Sequence, residues 1–576
     1  MLAPERGNHV GLPLQVAPRE SGEGTELTEP QGWRKIRRAL ISVWDKTGLD
    51  DFVRALHGFG VELISTGNTQ KAIEAAGVPV RAVSEATGSP EMLDGRVKTL
   101  HPKIHGGLLA VRDNPDHMRQ VEEHGIPLID LVVSNLYPFE RTVADPNVEL
   151  ATAVEMIDIG GPCMVRAAAK NSRDVAIVTE AEQYAAVLQE MREHEGSVSL
   201  ELRQRLALAA FRHTAHYDAA IVNFLTGRET SEEDPLPAVF APSFEKISGL
   251  RYGENPHQKA AFYGHVGAAE PGLPGAQQLH GKELSFNNLL DLSNALNSAR
   301  LFEEPTAIII KHLNPCGAAS AATLAEAFEL ALLSDPQSAF GSVIGFNRVV
   351  DAETASRMGS EEYLREVIEP RYRAESGDED SILLPAFAEC VIAPGYTDEA
   401  LEVLKRLKGL RVMLLADFDP PARREALELR QVPGGLLLQQ QDLEFTPPSE
   451  WRIVTDKRPT PEQMKALEFA DKIAKCIKSN VIVLCQGTAT VGVGAGQMSR
   501  IDSARIAARR AGQRAAGSVL ASDAMFPARD GLDEAAKTGA VAMIQPGGSI
   551  RDDEVIAAAN EHGIAMVMTG RRHFWH

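Results

Sequence analysis

Lys311 and His312 stand side by side after an apolar run, Ile308-Ile309-Ile310, and just before Asn314-Pro315. Three isoleucines in a row suit a buried strand, and Asn-Pro is expected to break it. A cation beside a group that titrates near neutrality, held at a rigid strand end, suits polarising a carbonyl and moving protons at pH 7. Most such pairs in proteins are surface or satisfied core residues, so this one gains meaning only from what accompanies it.

Five other islands carry anion-binding or reactive side chains. SVWDKTG places Ser42, Lys46, Thr47 and Gly48 at a strand-to-helix turn, and STGNT repeats the arrangement with Ser65, Gly67 and Thr69. Backbone N–H groups, hydroxyls and an ammonium at helix starts are phosphate-binding parts, although ordinary capped βα turns look the same. GRVKTLHPKIHGG concentrates Arg96, Lys98, Thr99, His101, Lys103 and His105 in an acidic protein, and NLYPF (Tyr137) and EMIDIGGPCMVRAAAKN (Asp158, Arg166, Lys170) follow. The Gly160-Gly161-Pro162 step is read as a break between Asp158 and the helix carrying Lys170. LRYGENPHQ brings Arg251, Tyr252 and His257; KSNVIVL puts Asn480 at the start of an apolar strand, with Arg500 after GVGAGQMSR; SDAMFPARDG holds Asp530, and RRHFWH closes the chain. GVGAG lacks the strand–GxGxxG–helix order of a dinucleotide fingerprint.

The elements that must hold these residues alternate. ALISV and VELIS read as strands, and Leu49, Phe52, Val53 and Leu56 mark one face of an intervening helix. LIDLVVSNL and VAIVT are further strands, and a long helix runs to about Leu225. This order predicts a doubly wound parallel α/β sheet with sites at the carboxyl ends of its strands. Strand alternation puts Trp44 on the face of Ser42, which favours a position at the expected phosphate over the alternative, burial in the adjacent core. The acidic, proline-containing stretch 228–240 reads as a linker before a second mixed α/β region; no internal repeat is apparent, and Glu375–Asp380 reads as an exposed acidic loop.

At 576 residues, with 44% hydrophobic and 24% charged residues, the chain predicts a soluble globular protein of more than one domain. A net charge of −20 opposes nonspecific nucleic-acid binding, and no apolar run approaches the roughly 18 residues of a membrane span. The first 34 residues lack a signal-peptide apolar core and are expected to be a disordered tail. Five scattered cysteines without CxxC spacing point to free thiols in the cytoplasm and to no zinc site.

Taken together and in order, ISVWDKTGL, GRVKTLHPKIHGG, NLYPF, IDIGG, RAAAKN, RYGENPHQ, KHLNPCG, KSN and GAGQMSR closely resemble the purine-biosynthesis family that combines AICAR transformylase and IMP cyclohydrolase. The match runs from about residue 37 to the C-terminus. The resemblance implies a methylglyoxal-synthase-like cyclohydrolase domain over residues 35–227, a linker over 228–244 and a transformylase domain over 245–576 built from two cytidine-deaminase-like subdomains. The deaminase zinc signature is absent, because Ala319 stands where a second cysteine would follow Cys316. By the same resemblance, 10-formyltetrahydrofolate donates a formyl group to AICAR, and the product FAICAR closes to IMP with loss of water. Ser42, Lys46, Ser65, Gly67, Thr69, Arg96, Lys98 and Thr99 would surround the cyclohydrolase nucleotide, with Lys98, Tyr137, Asp158 and Lys170 catalytic. Arg251, Tyr252, Arg500 and Arg572 would bind AICAR, Lys311, His312 and Asn480 would catalyse transfer, and Asp530 would lie near the folate. A homodimer is implied, as is room for a monovalent cation near residues 474–480.

Trp44 replaces an expected serine, Asn68 a glycine, Met525 and Ala528 aromatic residues, and Trp575 a basic one. Two rival readings are a transformylase whose cyclohydrolase half is weakened, and a nucleotide sensor without turnover. A sensor has no need of acid–base groups in both halves, and separate assays of FAICAR and IMP formation discriminate all three.

Overall fold

The computed structural model describes residues 32–145, 147–228, 234–266, 272–379, 388–418 and 427–576. Nearly all of the expected tail, residues 229–233 of the expected linker and Asp380 of the acidic run lie outside the described residues. The chain divides into two compact units, one ending at Leu225 and the other starting at Thr226.

The first unit is built on five short strands: β1 (Arg38–Ile41), β2 (Glu62–Ser65), β3 (Arg81–Ala82), β4 (Leu131–Val133) and β5 (Ala176–Val178). They pair in the order β3-β2-β1-β4-β5, every pair parallel. Alternate side chains enter different cores. Ala39, Ile41, Leu131, Val133, Ala176 and Val178 pack on one face, where helix Leu49–Gly58 buries the expected Leu49, Phe52, Val53 and Leu56. Leu40, Ile64, Val132 and Ile177 pack on the other, against helix Gly160–Lys170 and the long helix Leu200–Thr226. Burial on both faces explains why these strands read as unbroken apolar runs.

The second unit carries a twelve-stranded sheet. Its strands are β6 (Gln277–His280), β7 (Thr306–Lys311), β8 (Asn314–Ser320), β9 (Ser342–Phe346), β10 (Ala388–Ala393), β11 (Arg411–Leu414), β12 (Arg452–Ile453), β13 (Ile482–Gln486), β14 (Ala489–Gly494), β15 (Val519–Ser522), β16 (Ala542–Gln545) and β17 (Ala565–Met568). The spatial order is β6-β11-β10-β9-β7-β8-β14-β13-β15-β16-β17-β12. Read outward from the centre, both halves have one topology. A hairpin (β7–β8 or β13–β14) lies inside an antiparallel neighbour, two parallel strands follow, and an antiparallel edge strand closes the half. In the sheet ladder the halves pair at Ala319 with Ala489. The unit is therefore a structural repeat, in keeping with the two like subdomains that the resemblance implies, although the residue pattern alone shows none. Topology repeats while side chains differ, so no self-similar sequence advertises it.

Helices Phe286–Ala299 and Pro461–Lys475, equivalent in the two halves, share one continuous core, where Phe302 meets Phe469 at 5.2 Å between ring centroids. The opposite face holds two separate cores, one per half. Here GVGAG finds its use. A Cβ on Gly492 or Gly494 of β14 would overlap the Ala507 or Ser503 carbonyl oxygen of helix Arg500–Ala511, and Gly317 of β8 meets Ala331 of helix Leu324–Ser334 in the same way. These glycines let helices press against the centre of the sheet.

Two local readings change. Pro315 does not end a strand: β7 stops at Lys311, and Pro315 lies inside β8 opposite Ile310, where a bulge at Cys316 shifts the register. Proline is tolerated at such an irregularity. Gly160-Gly161-Pro162 is not a break but the first turn of its helix, where the missing proline N–H costs nothing. The acidic run beginning at Glu375 starts inside helix Glu369–Ser376, which Gly377 ends at φ +75.

Gly494→Ala should lower the thermal melting point of the full chain by the equivalent of about 1–3 kcal/mol, the usual cost of overpacking. Gly249→Ala, with nothing within 4 Å of its Cβ position, should not, and equal melting of the two variants would refute the close-approach argument.

Candidate active sites

In the first unit the loop leaving β1 is fixed by side chains. Asn135 Oδ1 accepts from the Trp44 and Asp45 N–H groups (2.6 and 3.1 Å), and Asp45 accepts from the Thr47 N–H and hydroxyl (2.9 and 2.7 Å). The Thr69 hydroxyl accepts from the Val43 N–H (3.1 Å) and donates to the Val43 carbonyl (2.9 Å). Buried Ser65 donates to the Ile41 carbonyl at 2.7 Å. Both hydroxyls, expected around a phosphate, are thus committed to the backbone of β1 and its loop. Lys46 is exposed, with Nζ 3.1 Å from the Trp44 carbonyl, and half-buried Ser42 gives its N–H to Val133 O at 2.8 Å. Gly67 opens helix Gly67–Ala75 at φ +57, and a Cβ there would lie 3.2 Å from Lys98 Nζ.

Lys98 reaches an acid–aromatic cluster. Burial raises the Asp158 carboxyl above the ordinary 3.8, opposed by the Gly161 and Tyr137 N–H groups and by the charge of Lys98. The Gly161 N–H donates to Asp158 Oδ1 at 2.8 Å. Burial and the nearby Asp158 charge raise the Tyr137 phenol. Gly160 is tight against Thr99, whose Oγ1 would be 2.6 Å from a Cβ there. The Trp44 ring, 49% exposed, lies 5.3 Å from the Tyr137 ring at 59°. Trp44 is therefore no core residue; it packs on an aromatic member of the cluster. A cavity of ≈ 130 Å³ opens beside Lys98, lined also by Gly67, Ser84, Ser89, Glu91 and His101.

In the second unit the turn between β7 and β8 is His312-Leu313, with φ +53 and +65. Positive φ at both central residues is the pattern of a type I′ hairpin, which favours Asn-Gly. For residues with a Cβ this backbone costs about 1–3 kcal/mol each and persists only where surroundings enforce it. Asp291 Oδ1 accepts from the Leu313 N–H (2.6 Å), and Asn294 Nδ2 donates to Leu313 O (2.6 Å) and Cys476 O (3.1 Å). Asn314 donates to His312 O (3.0 Å) and accepts from the Lys478 N–H (3.1 Å). Lys311 Nζ donates to the Phe340 and Gly341 carbonyls at 2.7 and 3.2 Å.

The neighbouring segment carries Asn480. Its Nδ2 donates to Gln497 O (3.0 Å) and Met498 O (3.2 Å), and Oδ1 has no hydrogen-bond donor among the described residues. Ser479 bonds to Asp523, and its N–H donates to Trp575 O at 2.8 Å. Arg500 is nearly buried and committed to the protein: Nη2 to Asp523 at 2.8 Å, Nε to Ser522 Oγ at 2.8 Å and Nη1 to Met525 O at 3.2 Å.

Two family descriptions match the sequence: an MGS-like domain over residues 48–163, and the AICARFT/IMPCHase bienzyme over 168–510, more than half of the chain. The chain belongs to the AICARFT/IMPCHase bienzyme family. It is accordingly a bifunctional formyltransferase and IMP cyclohydrolase of purine biosynthesis, with a folate co-substrate. A solved structure titled "Crystal structure of ForH" is 33% identical over 33% of this chain and 98% of that one, with a TM-score of 0.30.

Not every residue that the bienzyme pattern suggests joins a cluster. Lys170 ends the helix whose first residue is Gly160, so about 15 Å of helix separates it from Asp158. Exposed Arg96 is paired with Glu155. Arg251 stacks on its neighbour Tyr252 at 4.7 Å, exposed Arg572 stacks on Phe574 at 4.3 Å, and Asp530 accepts from the next N–H, of Gly531, at 2.9 Å. Conversely, Tyr217 went unnoticed in the sequence. Its hydroxyl accepts from the Asp158 N–H and donates to Met156 O, both at 2.9 Å, and burial pushes the phenol up to about 12. Asn135, Asp291, Asn294 and Asp523 were missed likewise. Each lies far along the chain from the motif it supports, and only the asparagine after LVVS carried a faint signal, as a polar residue at a strand end.

A raised carboxyl stabilises the fold in its protonated form, and that contribution is lost as pH rises from the ordinary aspartate range near 3.8 through the raised folded value. Asp158→Asn should therefore melt higher than the parent at pH 7 and no higher at pH 3, while IMP formation falls. A melting difference independent of pH would contradict the burial argument.

Proposed function

We propose that the two activities are divided between the units, cyclohydrolase in the first and transformylase in the second, with 10-formyltetrahydrofolate as formyl donor. The observation that carries this reading is that each unit has its own set of charged and titratable groups: Lys98, Tyr137 and Asp158 in one, Lys311 and His312 beside Asp291 in the other, with Asn480 on a segment tied to their hairpin through Asn314 and Asn294. The AICAR amine is conjugated with its ring and is a weak nucleophile. Asn480 Oδ1 accepts from that amine and orients it, and His312 takes its proton as the new N–C bond forms. Lys311 has three N–H donors, two of them held by the Phe340 and Gly341 carbonyls. The third faces the oxyanion that develops on the formyl carbon. The C–N bond to the folate then breaks, and the folate nitrogen receives the proton.

Ring closure of FAICAR is intramolecular, so positioning supplies much of the barrier reduction. The FAICAR amide nitrogen attacks the formyl carbon, and the resulting hydroxyl leaves as water. Lys98 and Asp158 handle the protons, Tyr137 is fixed by its contact with Trp44, and backbone N–H groups near Ser42, Lys46, Ser65, Gly67 and Thr69 receive the phosphate.

The working form is a homodimer. Two hairpins of the second unit, Phe244–Leu250 with Ala260–His265 and Leu427–Val432 with Gly435–Gln440, carry exposed Phe244, Ile247, Tyr263, Leu429, Leu436 and Leu437. Two-stranded ribbons are marginal alone, and apolar faces of this kind suit a second copy. Arg251 and Arg572 complete the AICAR site in that assembly. A monovalent cation near residues 474–480 would find oxygen donors in the backbone carbonyls there and in Ser479 and Asp523; it would order the segment leading to Asn480. A cytoplasmic setting fits five free thiols, and no described helix is long and apolar enough to cross a membrane.

His312→Ala should lower formyl transfer by about 10²–10⁴-fold while supplied FAICAR still closes to IMP, and Lys98→Ala should do the reverse. Parallel loss of both activities in either folded variant would refute the division of labour. Dilution followed by light scattering should show transformylase activity disappearing with the dimer and cyclohydrolase activity persisting; a fully active monomer would refute the shared site.

A further inference from the structure

We propose that Asp291 and Asn294, one turn apart on helix Phe286–Ala299, are positioning residues of formyl transfer: they hold the left-handed His312–Leu313 turn and set its spacing from Asn480. The proposal rests on the assignment of His312 and Asn480 to that reaction.

The turn would not adopt this backbone by preference. Both of its central residues have positive φ, and neither is glycine or asparagine. In the equivalent hairpin of the other half, Gln486 pairs with Ala489 around Gly487-Thr488, and the residue at φ +55 is a glycine. The first half carries His312 where the other carries Gly487, and an external clamp supplies what the local sequence does not. Asp291 grips the Leu313 N–H at 2.6 Å, and Asn294 grips the Leu313 carbonyl with equal length, so both polar ends of one residue are held by one helix face. Residues at i and i+3 point the same way from a helix, which is why this pair can act together.

Asn294 also couples the halves. The Nδ2 that holds Leu313 O reaches Cys476 O at 3.1 Å, four residues before Asn480. Asn314 reinforces the tie from the other side through the Lys478 N–H. A proton acceptor on one half and an amine-orienting amide on the other are thus referred to a common helix. Removal of the clamp should let His312 move relative to Asn480 without emptying the nucleotide site. The loss should therefore fall on kcat and not on KM.

The test uses the full-length enzyme. Asp291→Ala should lower kcat for formyl transfer by about 100-fold, as an ångström of misplacement does, with KM for AICAR and closure of supplied FAICAR unchanged. Asp291→Asn keeps an acceptor for the Leu313 N–H and should restore most of that loss. Leu313→Gly placed in the Asp291→Ala background should also recover rate, because glycine takes the left-handed backbone without a clamp. A structural role alone predicts no such rescue. An unchanged kcat in Asp291→Ala, or a double variant no faster than Asp291→Ala, would overturn the proposal. If Asp291→Ala does not fold, Asp291→Asn and Asn294→Ser decide: the former near parental rate and the latter impaired in kcat supports it, and the opposite order overturns it. Wild-type transfer in His312→Ala would instead sink the assignment on which the proposal rests, whereas an inactive His312→Ala beside a fully active Asp291→Ala sinks the proposal alone.

Discussion

A strand buried on both faces has no side chain left for chemistry. That constraint governs both units. Ala39, Leu40 and Ile41 go to one core or the other, as do Ile308, Ile309 and Ile310. Reactive groups can stand only where the strands stop: in the segments that follow β1, β2, β3 and β4, at the tip of the β7–β8 hairpin, and just before β13. Every such place is a bend, and bends carry backbone N–H and C=O groups that the ladder no longer satisfies. The polar residues around the clusters are chiefly there for this reason. Asn135, Thr69, Asp291, Asn294 and Asn314 each bind backbone, and the reactive side chains inherit their positions from them.

The two clusters share an electrostatic logic despite unrelated topologies. Each sets a partly buried carboxyl near a lysine: Asp158 with Lys98, and Asp291 with Lys311 and His312. Burial raises both carboxyl groups, while local N–H donors and the cations pull them back. Such opposed influences keep a carboxyl responsive to a ligand that displaces water. Aspartates bound mainly by exposed donors, such as Asp45 beside Thr47, are shifted downward and do not share this property.

Much of the fold was legible in the sequence because it is periodic. The helix from Leu49, the apolar strands and the long helix to Thr226 follow from spacing alone. What escaped depends on contacts across the chain. Ser65 and Thr69 look like phosphate ligands in a βα turn, and nothing local reveals that their hydroxyls serve the backbone of β1 and its loop. Arg500 looks free beside a glycine-rich stretch, yet Asp523 claims it from another strand. Lys170 looks close to Asp158 by number, and a straight helix carries it away. Pro315 looks like a strand breaker because a bulge cannot be read from composition. The repeat, implied by the resemblance, was invisible in the residue pattern because strand order, which defines it, is not a property of any window of residues.

Duplication of the sheet also has an evolutionary side. A pseudo-symmetric frame offers two matching corners, and only one is furnished: His312-Leu313 occupies the first, Gly487-Thr488 the second. The unfurnished corner keeps the residue its backbone prefers and ties down only β8, through the Thr488 hydroxyl to Ser320 O at 2.7 Å. One hairpin thus stays unstrained while its half contributes Asn480 ahead of β13, and the shared core supports the strain of the other hairpin. A scaffold of this kind can acquire or lose a reactive centre at one end without being rebuilt at the other.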